Sequence, residues 1–531
     1  MSDLPHRGHS PEPCCAFPAL GMLLAAVAAL HVACWVGHPT DTDPLNFYAA
    51  LTDYDVEHDR PHPPGYPLFV AMGRLLAAWV VAAHAFQAVG LLLLVAAGGF
   101  LYAALAARGL RWVGLGAAVL LVSHPLAWSA TLAGESYMAD ATFACAIFWV
   151  TRIGAGFGDS AIADRAPMRS SRGRSAVMST GLFVVMLLLG LFRPVSVVLL
   201  APLALACIWS DQGGGARRVR LAAGLLAVVA AFIVAYAITV TAAGGWPIYR
   251  DASSRVMAAS FRSVSVLGGA PAAVHAQMLA KLLGWAIALA SPALLVWGVL
   301  VLRDRRSLSV PLSALRLWPA LLAWVLPALC FYAGVYYLKP TYHLIYLPAF
   351  LVAFSMGVAR LARRRACVGV AVVTGLAALQ FTFFFSNAQW PQPLERQTYS
   401  YLRRQDDASA RLVSFLNGVP PSARVLWAGH GELNVYSLRL APHLGPVAVY
   451  DASRPMLQTL EPGRMVWSRP TERIDSLPAA SALYVVRAAQ AGTSLDVVAF
   501  REPQVLDLPL VRAVLAALND EPVQRNLPRP K

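Results

Sequence analysis

The sequence has little charge and little cysteine for its length. Only 13% of its 531 residues are Asp, Glu, Lys or Arg, whereas 58% are hydrophobic. This balance excludes an ordinary soluble globular protein. Its 7 cysteines show neither a disulfide framework nor the spacing of zinc ligands. Charged side chains are costly in hydrocarbon, so their scarcity indicates a polytopic membrane protein built of α-helices.

Long apolar runs are abundant. Because a spanning helix needs about 20 apolar residues, the sequence predicts about eleven transmembrane helices. Residues 66–82 form a further apolar segment, but its short length and Arg74 predict an interfacial helix instead. The predicted transmembrane helices lie near 17–37, 84–107, 111–130, 137–152, 176–192, 195–210, 221–243, 280–302, 317–337, 343–359 and 368–386.

The net charge is +15, and the arginines responsible for it lie in short groups between apolar runs. Loops rich in Lys and Arg stay in the cytoplasm. The pattern therefore predicts a cytoplasmic N-terminus, an extracytoplasmic C-terminal region, and a plasma or inner membrane location. Short arginine groups of this kind indicate contact with the lipid bilayer, and no nucleic-acid partner is predicted.

The composition becomes polar and rich in punctuating prolines after the last apolar run. We predict a transmembrane domain over residues 1–387 and a small extracytoplasmic α/β domain over 388–531. No GxGxxG or P-loop motif supports nucleotide binding there. The predicted elements include strands at 423–427, 447–450 and 482–486 and helices at 407–416 and 510–518.

An acidic stretch, residues 41–62, follows the first apolar run and precedes the proline turn 63–67. In the predicted orientation it shares the extracytoplasmic face with several other carboxylates and cations. Such groups suit transfer from an anionic lipid carrier, because a carboxylate can deprotonate an acceptor and cations can stabilise a leaving phosphate. The candidate catalytic residues are Asp43, Asp41 and Glu135, and the candidate substrate- or phosphate-binding residues are His62, Arg193, Lys339, Tyr342 and His343.

Three features of this region resemble the GT-C superfamily of polyprenyl-phosphate-dependent glycosyltransferases. They are the acidic loop after the first helix, the motif HPPGYP at 62–67, and the acid and aromatic of Glu135-Ser136-Tyr137. The resemblance covers roughly residues 15–390 and is strongest to the protein O-mannosyltransferase-like branch. It implies a cell-envelope enzyme that moves a sugar, with inversion, from a polyprenyl-phosphate donor to a hydroxyl of a glycan, lipid or protein.

The resemblance also implies a general base, an Asp early in the first extracytoplasmic loop. Asp43 and Asp41 both match that placement, and Asp43 is preferred. Asp43 could instead cap the helix that follows it. The later acids, Asp53, Asp55, Glu57 and Asp59, are predicted to form a solvated surface.

Metal binding and two other functions stay open at this point. His58 and His62 are four residues apart, but the prolines around His62 exclude a regular helix, so no metal ligands are assigned. Some members of the superfamily use a divalent cation and others do not. The rival functions are a secondary transporter or lipid flippase, which would have charges near the bilayer midplane, and a non-catalytic membrane scaffold.

Overall fold

The computed structural model describes residues 16–39, 41–153, 171–210, 216–303, 317–362 and 366–419, together with eight short strands between residues 424 and 507. The described chain is mostly helical. Its helices are α1 (Ala16–Ala33), α2 (Thr42–Thr52), α3 (Pro67–Ala77), α4 (Ala85–Ala106), α5 (Arg111–Val122), α6 (Pro125–Leu132), α7 (Met138–Ile153), α8 (Ser171–Phe192), α9 (Pro194–Ser210), α10 (Ala216–Ala242), α11 (Trp246–Val264), α12 (Ala272–Arg303), α13 (Trp318–Gly334), α14 (Leu347–Leu361), α15 (Ala366–Phe384) and α16 (Tyr399–Gly418).

Every predicted transmembrane run contains helix, but the helices differ in length. Four are long and apolar enough to cross a membrane: Ala82–Ala106, Arg218–Ala242, Ala272–Leu302 and Ala366–Phe384. The pair α5 and α6 makes a fifth if it is counted as one bent span. Seven shorter apolar helices of 10–17 residues complete the set among the described residues. A total of eleven crossings therefore stays a prediction.

The prediction of one continuous helix over 111–130 is wrong. Its two halves, α5 and α6, are bent by 48° relative to each other. Pro125 is the first residue of α6 and has no N–H to continue the α5 ladder. His124 caps the new helix, since its Nδ1 accepts from the N–H of Leu126 at 3.2 Å. The break redirects α6, which leads straight into the connection that carries Glu135.

Two helices, α3 and α11, lie outside the predicted transmembrane runs. Helix α3 has 11 residues, or about 16 Å at 1.5 Å per residue, roughly half the thickness of a bilayer core. The connection 244–279, which none of the predicted transmembrane helices covers, contains α11, 19 residues long. Tyr249 and Ala252 are buried on one face of α11 and pack with Val56. A polar surface helix escapes a search for long apolar runs.

The helical core is close-packed around large side chains. Trp128, Trp324 and Phe86 are fully buried. Helix α4 approaches α6 closely at Gly90, where a Cβ would lie 3.0 Å from Cα of Thr131. That distance is too short for an ordinary contact, so the small residue allows the two helices to meet.

The strands after α16 form a six-stranded mixed sheet and a separate two-stranded sheet, β5-β8. The order in the larger sheet is β4-β3-β2-β1-β6-β7, in which β1 pairs parallel with β2 and β6. The predicted strands at 423–427, 447–450 and 482–486 overlap β1, β2 and β6, and the predicted helix at 407–416 lies within α16. The predicted helix at 510–518 lies outside the described residues. The strands are β1 (Arg424–Ala428), β2 (Val447–Asp451), β3 (Met456–Glu461), β4 (Val466–Trp467), β5 (Arg473–Ile474), β6 (Leu483–Ala488), β7 (Leu495–Phe500) and β8 (Leu506–Asp507).

Candidate active site

Three carboxylates from two distant parts of the chain converge on the ammonium of Lys339, forming what we call the Lys339 cluster. The Lys339 Nζ lies 3.0 Å from Oδ2 of Asp43 and 3.2 Å from Oε1 of Glu135, and it also contacts Asp41. Asp41 and Asp43 stand at the start of α2, Glu135 lies between α6 and α7, and Lys339 follows α13. Four of the predicted site residues are therefore neighbours.

The two aspartates have different local roles. Asp41 is the N-cap of α2, because its Oδ1 accepts from the N–H of Thr42 at 2.7 Å. Asp43 lies in the first turn of the helix. The alternative that Asp43 is the cap is thus wrong, and its carboxylate is available for contacts across the site.

Asp43 is surrounded by hydrogen-bonding and cationic groups. The Tyr137 hydroxyl donates to Oδ2 of Asp43 at 3.4 Å, and Nε2 of His62 lies 3.9 Å from Oδ1. Burial raises the pKa of Asp43, but Lys339 and His62 lower it more, so the net pKa falls well below the ordinary value. Burial also lowers the pKa of His62. Asp43 is therefore ionised at neutral pH.

The pKa of Glu135 is shifted in the opposite direction to that of Asp43. Its side chain is buried, and burial together with Asp41 and Asp43 raises its pKa to about 7 although Lys339 opposes the change. Its Oε1 contacts Lys339, whereas Oε2 has no hydrogen-bond partner among the described residues. The backbone supplies the position: the N–H of Glu135 donates to the carbonyl of Ala130 at 2.9 Å around Gly134, whose φ is +75°.

Arg193 lies beside the cluster and has partners of its own. Its Nε is 3.1 Å from Oδ1 of Asp140, and its Nη1 donates to Oγ of Ser136 at 3.1 Å. The guanidinium carbon stands 4.2 Å from the centre of the Tyr137 ring, within the range of a cation–π contact. Ser196 donates to the same Asp140 oxygen at 2.6 Å. Arg193 thus orders the two residues that follow Glu135.

Asp140 was missed from the sequence although a signal was present. It is fully buried in the first turn of α7, inside a run predicted to be transmembrane. An acid within such a run usually has a partner or a function. Here the partner is Arg193, which lies 53 positions later in the chain and could not be assigned without the fold.

Tyr342 and His343 are adjacent in sequence but have different surroundings. The Tyr342 ring centre lies 4.9 Å from that of Tyr137, which connects it to the Lys339 cluster. His343 is fully buried and hydrogen-bonds the hydroxyl of Tyr337 at 3.1 Å and that of Tyr346. Its hydrogen bonds among the described residues are to these tyrosines, and its ring also lies beside Trp285.

The later acids of the first loop form a compact turn. Arg60 lies 2.6 Å from Asp53 and 2.9 Å from Asp55, and His58 lies 2.6 Å from Asp55. The prediction of a solvated surface fits Asp55 only in part, because Arg60 and His58 contact its carboxylate and its side chain is 27% exposed. It fits Asp53, whose side chain is 58% exposed. No group of three or more His, Cys, Asp or Glu residues could hold a metal ion in the part of the chain that the structure describes.

No protein-family model and no curated protein matches the sequence. Solved structures do match. ArnT from Cupriavidus metallidurans bound to undecaprenyl phosphate is 14% identical, over 88% of this chain and 93% of its own, with a TM-score of 0.51. The chain has the GT-C fold.

Two further matches are weaker. Apo ArnT from the same organism is 14% identical over 82% of this chain and 87% of its own, with a TM-score of 0.48. The Archaeoglobus fulgidus oligosaccharyltransferase tethered to an acceptor peptide is 13% identical over 77% of this chain and 58% of its own, with a TM-score of 0.45. The predicted GT-C architecture is confirmed at the level of the fold by the ArnT structure bound to undecaprenyl phosphate alone, whose TM-score is 0.51. Identities this low do not assign a branch or a substrate.

Proposed function

We propose that this protein is a membrane glycosyltransferase that moves a hexose from a polyprenyl-phosphate donor to an acceptor hydroxyl on the extracytoplasmic face, with inversion. The Lys339 cluster carries the proposal, because it combines an ionised carboxylate, a second carboxyl group of raised pKa and a cation within 3.2 Å of both. The fold adds support, since ArnT, the match with the highest TM-score of the three, is described as bound to undecaprenyl phosphate.

Asp43 is the proposed general base. Its carboxylate is ionised at neutral pH and does not cap α2, whereas one oxygen of Asp41 is engaged by that cap. The acceptor O–H passes its proton to Asp43 while the acceptor oxygen attacks the anomeric carbon. The bond from that carbon to the phosphate oxygen breaks, and its electron pair leaves with the polyprenyl phosphate.

Lys339 is the proposed partner of the leaving phosphate. Its ammonium lies in a loop beside the base, and negative charge grows on the phosphate as the bond breaks, so an ammonium placed there stabilises the transition state more than the ground state. Arg193 is ion-paired with Asp140, and we assign it the positioning of Ser136 and Tyr137. His62, which itself lies 3.9 Å from Asp43, and Tyr342, whose ring packs beside Tyr137, would orient the bound sugar or phosphate.

The sugar, the acceptor and the membrane topology are proposed from the sequence. The O-mannosyltransferase-like motif favours mannose or a related hexose as the sugar, and the acceptor is a glycan, lipid or protein. We propose a cytoplasmic N-terminus, and residues 388–531 as an extracytoplasmic domain. The site favours an enzyme over a transporter, because its three carboxylates and its lysine lie at helix starts and in connections between helices.

The test is transfer from labelled polyprenyl-phosphate hexoses in membranes that contain wild type or Asp43→Asn. We expect transfer to fall at least ~100-fold in the variant, the usual contribution of a positioned general base. Asp53→Asn is the matched control, since it makes the same change in the same loop at a side chain that is 58% exposed. Undiminished transfer by Asp43→Asn would remove Asp43 as the base, and no transfer by wild type from any donor would refute the function.

A further inference from the structure

The segment that follows the last apolar helix touches both pieces of chain that deliver carboxylates to the Lys339 cluster. This segment comprises the turn Glu395–Gln397 and the first half of α16. Gln397 and Asp406 are buried, with exposures of 4% and 7%. Burying polar side chains is unfavourable unless they gain good partners, so the identity of those partners is informative.

Asp406 holds the chain just before the catalytic aspartates. Its Oδ1 accepts from the backbone N–H of His38 at 2.9 Å and lies 2.9 Å from Nδ1 of the same residue. One turn later on α16, the hydroxyl of Ser409 donates to the carbonyl of Pro39 at 3.4 Å. Asp41 follows Pro39 by two residues. The start of α2 is therefore attached to α16 by backbone as well as side-chain contacts.

Gln397 holds the other piece. Its Oε1 accepts from Oγ of Ser129 at 2.5 Å, and both side chains are buried. Ser129 lies on α6, the short helix after the break at Pro125. Because α6 is separated from α5 by a 48° bend, its direction is not fixed by α5 alone. The turn at its end carries Glu135.

We propose that residues 395–409 form a clamp that positions the catalytic carboxylates, with Asp406 holding the segment His38-Pro39 before Asp41 and Asp43 and Gln397 holding the helix that leads to Glu135. The clamp rests on the proposed function and deepens it. Its residues are positioning residues, since Asp406 and Gln397 act through His38 and Ser129. Residues 395–409 thereby support the geometry of the active site from outside it.

The clamp affects catalysis because displacements of a few tenths of an ångström would change the distances between Lys339 and the carboxylates. Lys339 meets Asp43 at 3.0 Å and Glu135 at 3.2 Å, and these contacts need both pieces of chain in place at once. A loosened clamp leaves the donor site intact but places the base poorly. Catalysis depends steeply on such placement, and small errors lower the rate of the chemical step far more than they lower binding.

The test compares Asp406→Ala with Asp407→Ala, the same change at the next residue, which is exposed. Hydrogen exchange measured by mass spectrometry should quicken over residues 37–43 in Asp406→Ala only. The number of functional donor sites is measured by the binding of polyprenyl phosphate. The transfer rate per donor site should fall about tenfold, whereas the KM for the donor should change less than about twofold. Asp406→Asn should recover most of the rate, since its amide oxygen can still accept from the N–H of His38.

Gln397→Ala tests the other half of the clamp, should Asp406→Ala fold poorly: the rate per site should fall in the same way, with faster exchange over α6 and the turn that carries Glu135. A purely structural role would reduce the number of donor sites and leave the rate per site unchanged, and that outcome overturns the clamp. Unchanged exchange over 37–43 in Asp406→Ala overturns it as well. Absence of transfer by wild type refutes the proposed function instead, and in that case the exchange measurement alone decides whether Asp406 holds the segment around His38.

Discussion

Replacing Lys339 by methionine tests the electrostatics of the Lys339 cluster directly. Methionine keeps much of the length and apolar stem of lysine but removes the ammonium. The variant would leave Asp41, Asp43 and Glu135 close together without their shared cation. Like charges confined in a buried site disfavour ionisation, so the chain must either unfold more easily or take up protons.

The expected loss can be estimated from the distances. A pair of unit charges 3.0 Å apart, the separation of Lys339 from Asp43, is worth about 5 kcal/mol at an effective dielectric constant of 20 before desolvation is subtracted. Removing one partner of a fully buried pair has an effect of about 3–5 kcal/mol, and because Lys339 is 24% and Asp43 23% exposed, the low end of that range applies here. Asp41 is 42% exposed, so its pair with Lys339 is screened and adds little. We expect a loss of about 3 kcal/mol at pH 8.

The sign of the pH dependence follows from the direction of the pKa shifts. In wild type, Lys339 keeps the pKa of Asp43 below its ordinary value, so the stability from this pair is present above pH ~4 and is lost as the pH falls through the folded pKa. Without Lys339 the carboxyl pKa values rise. The folded variant then binds more protons than the unfolded chain, and its deficit shrinks as the pH is lowered.

The assay is thermal unfolding of purified protein in detergent at pH 8 and pH 5. Lys339→Met should unfold several degrees below wild type at pH 8, and the gap should narrow at pH 5. Lys281→Met is the matched control, because Lys281 is exposed on α12, and it should match wild type at both pH values. An equal deficit at the two pH values, or none at pH 8, would contradict the account.

Two further predictions concern stability. Burial raises the pKa of Glu135 to about 7, so wild-type stability should fall as pH rises from the unfolded value of ~4.3 towards 7. The unfolding midpoint of Glu135→Gln should lack that slope, and parallel curves would refute the shift. Gly65→Ala should lose about 2 kcal/mol, because φ is +98° and the new Cβ would lie 2.7 Å from Oη of Tyr54. Gly99→Ala, at an open helical position, is its control, and equal midpoints would count against the strain.

The sequence predicted the helices well where the signal was local. Long apolar runs needed no knowledge of their neighbours, and each contains helix. The error at 111–130 arose because overall apolarity outweighed a local signal, the His124-Pro125 step, which favours a break. Helix α11 was missed for the opposite reason, since its polar sequence has no long apolar run to mark it.

The site was predicted in part. Placing Asp41, Asp43, Glu135 and Lys339 on one face needed only loop order and the arginine pattern, and the structure brings these four together. Their pairing could not be predicted, because Lys339 is separated from Asp43 by 296 positions and from Glu135 by 204. The same holds for Asp140 with Arg193 and for Asp406 with His38, whose partners depend on how the helices pack.

The wide spacing of the Lys339 cluster has a consequence for biogenesis. Because a chain is synthesised from its N-terminus, Asp43 and Glu135 leave the ribosome 296 and 204 residues before Lys339. At synthesis rates of ~5–20 residues per second, that interval lasts roughly 10–60 s. During it, Asp43 and Glu135 have no lysine to pair with and must stay hydrated or protonated. Synthesis of the segment after α13 therefore supplies the lysine that neutralises these carboxylates, in a single late step.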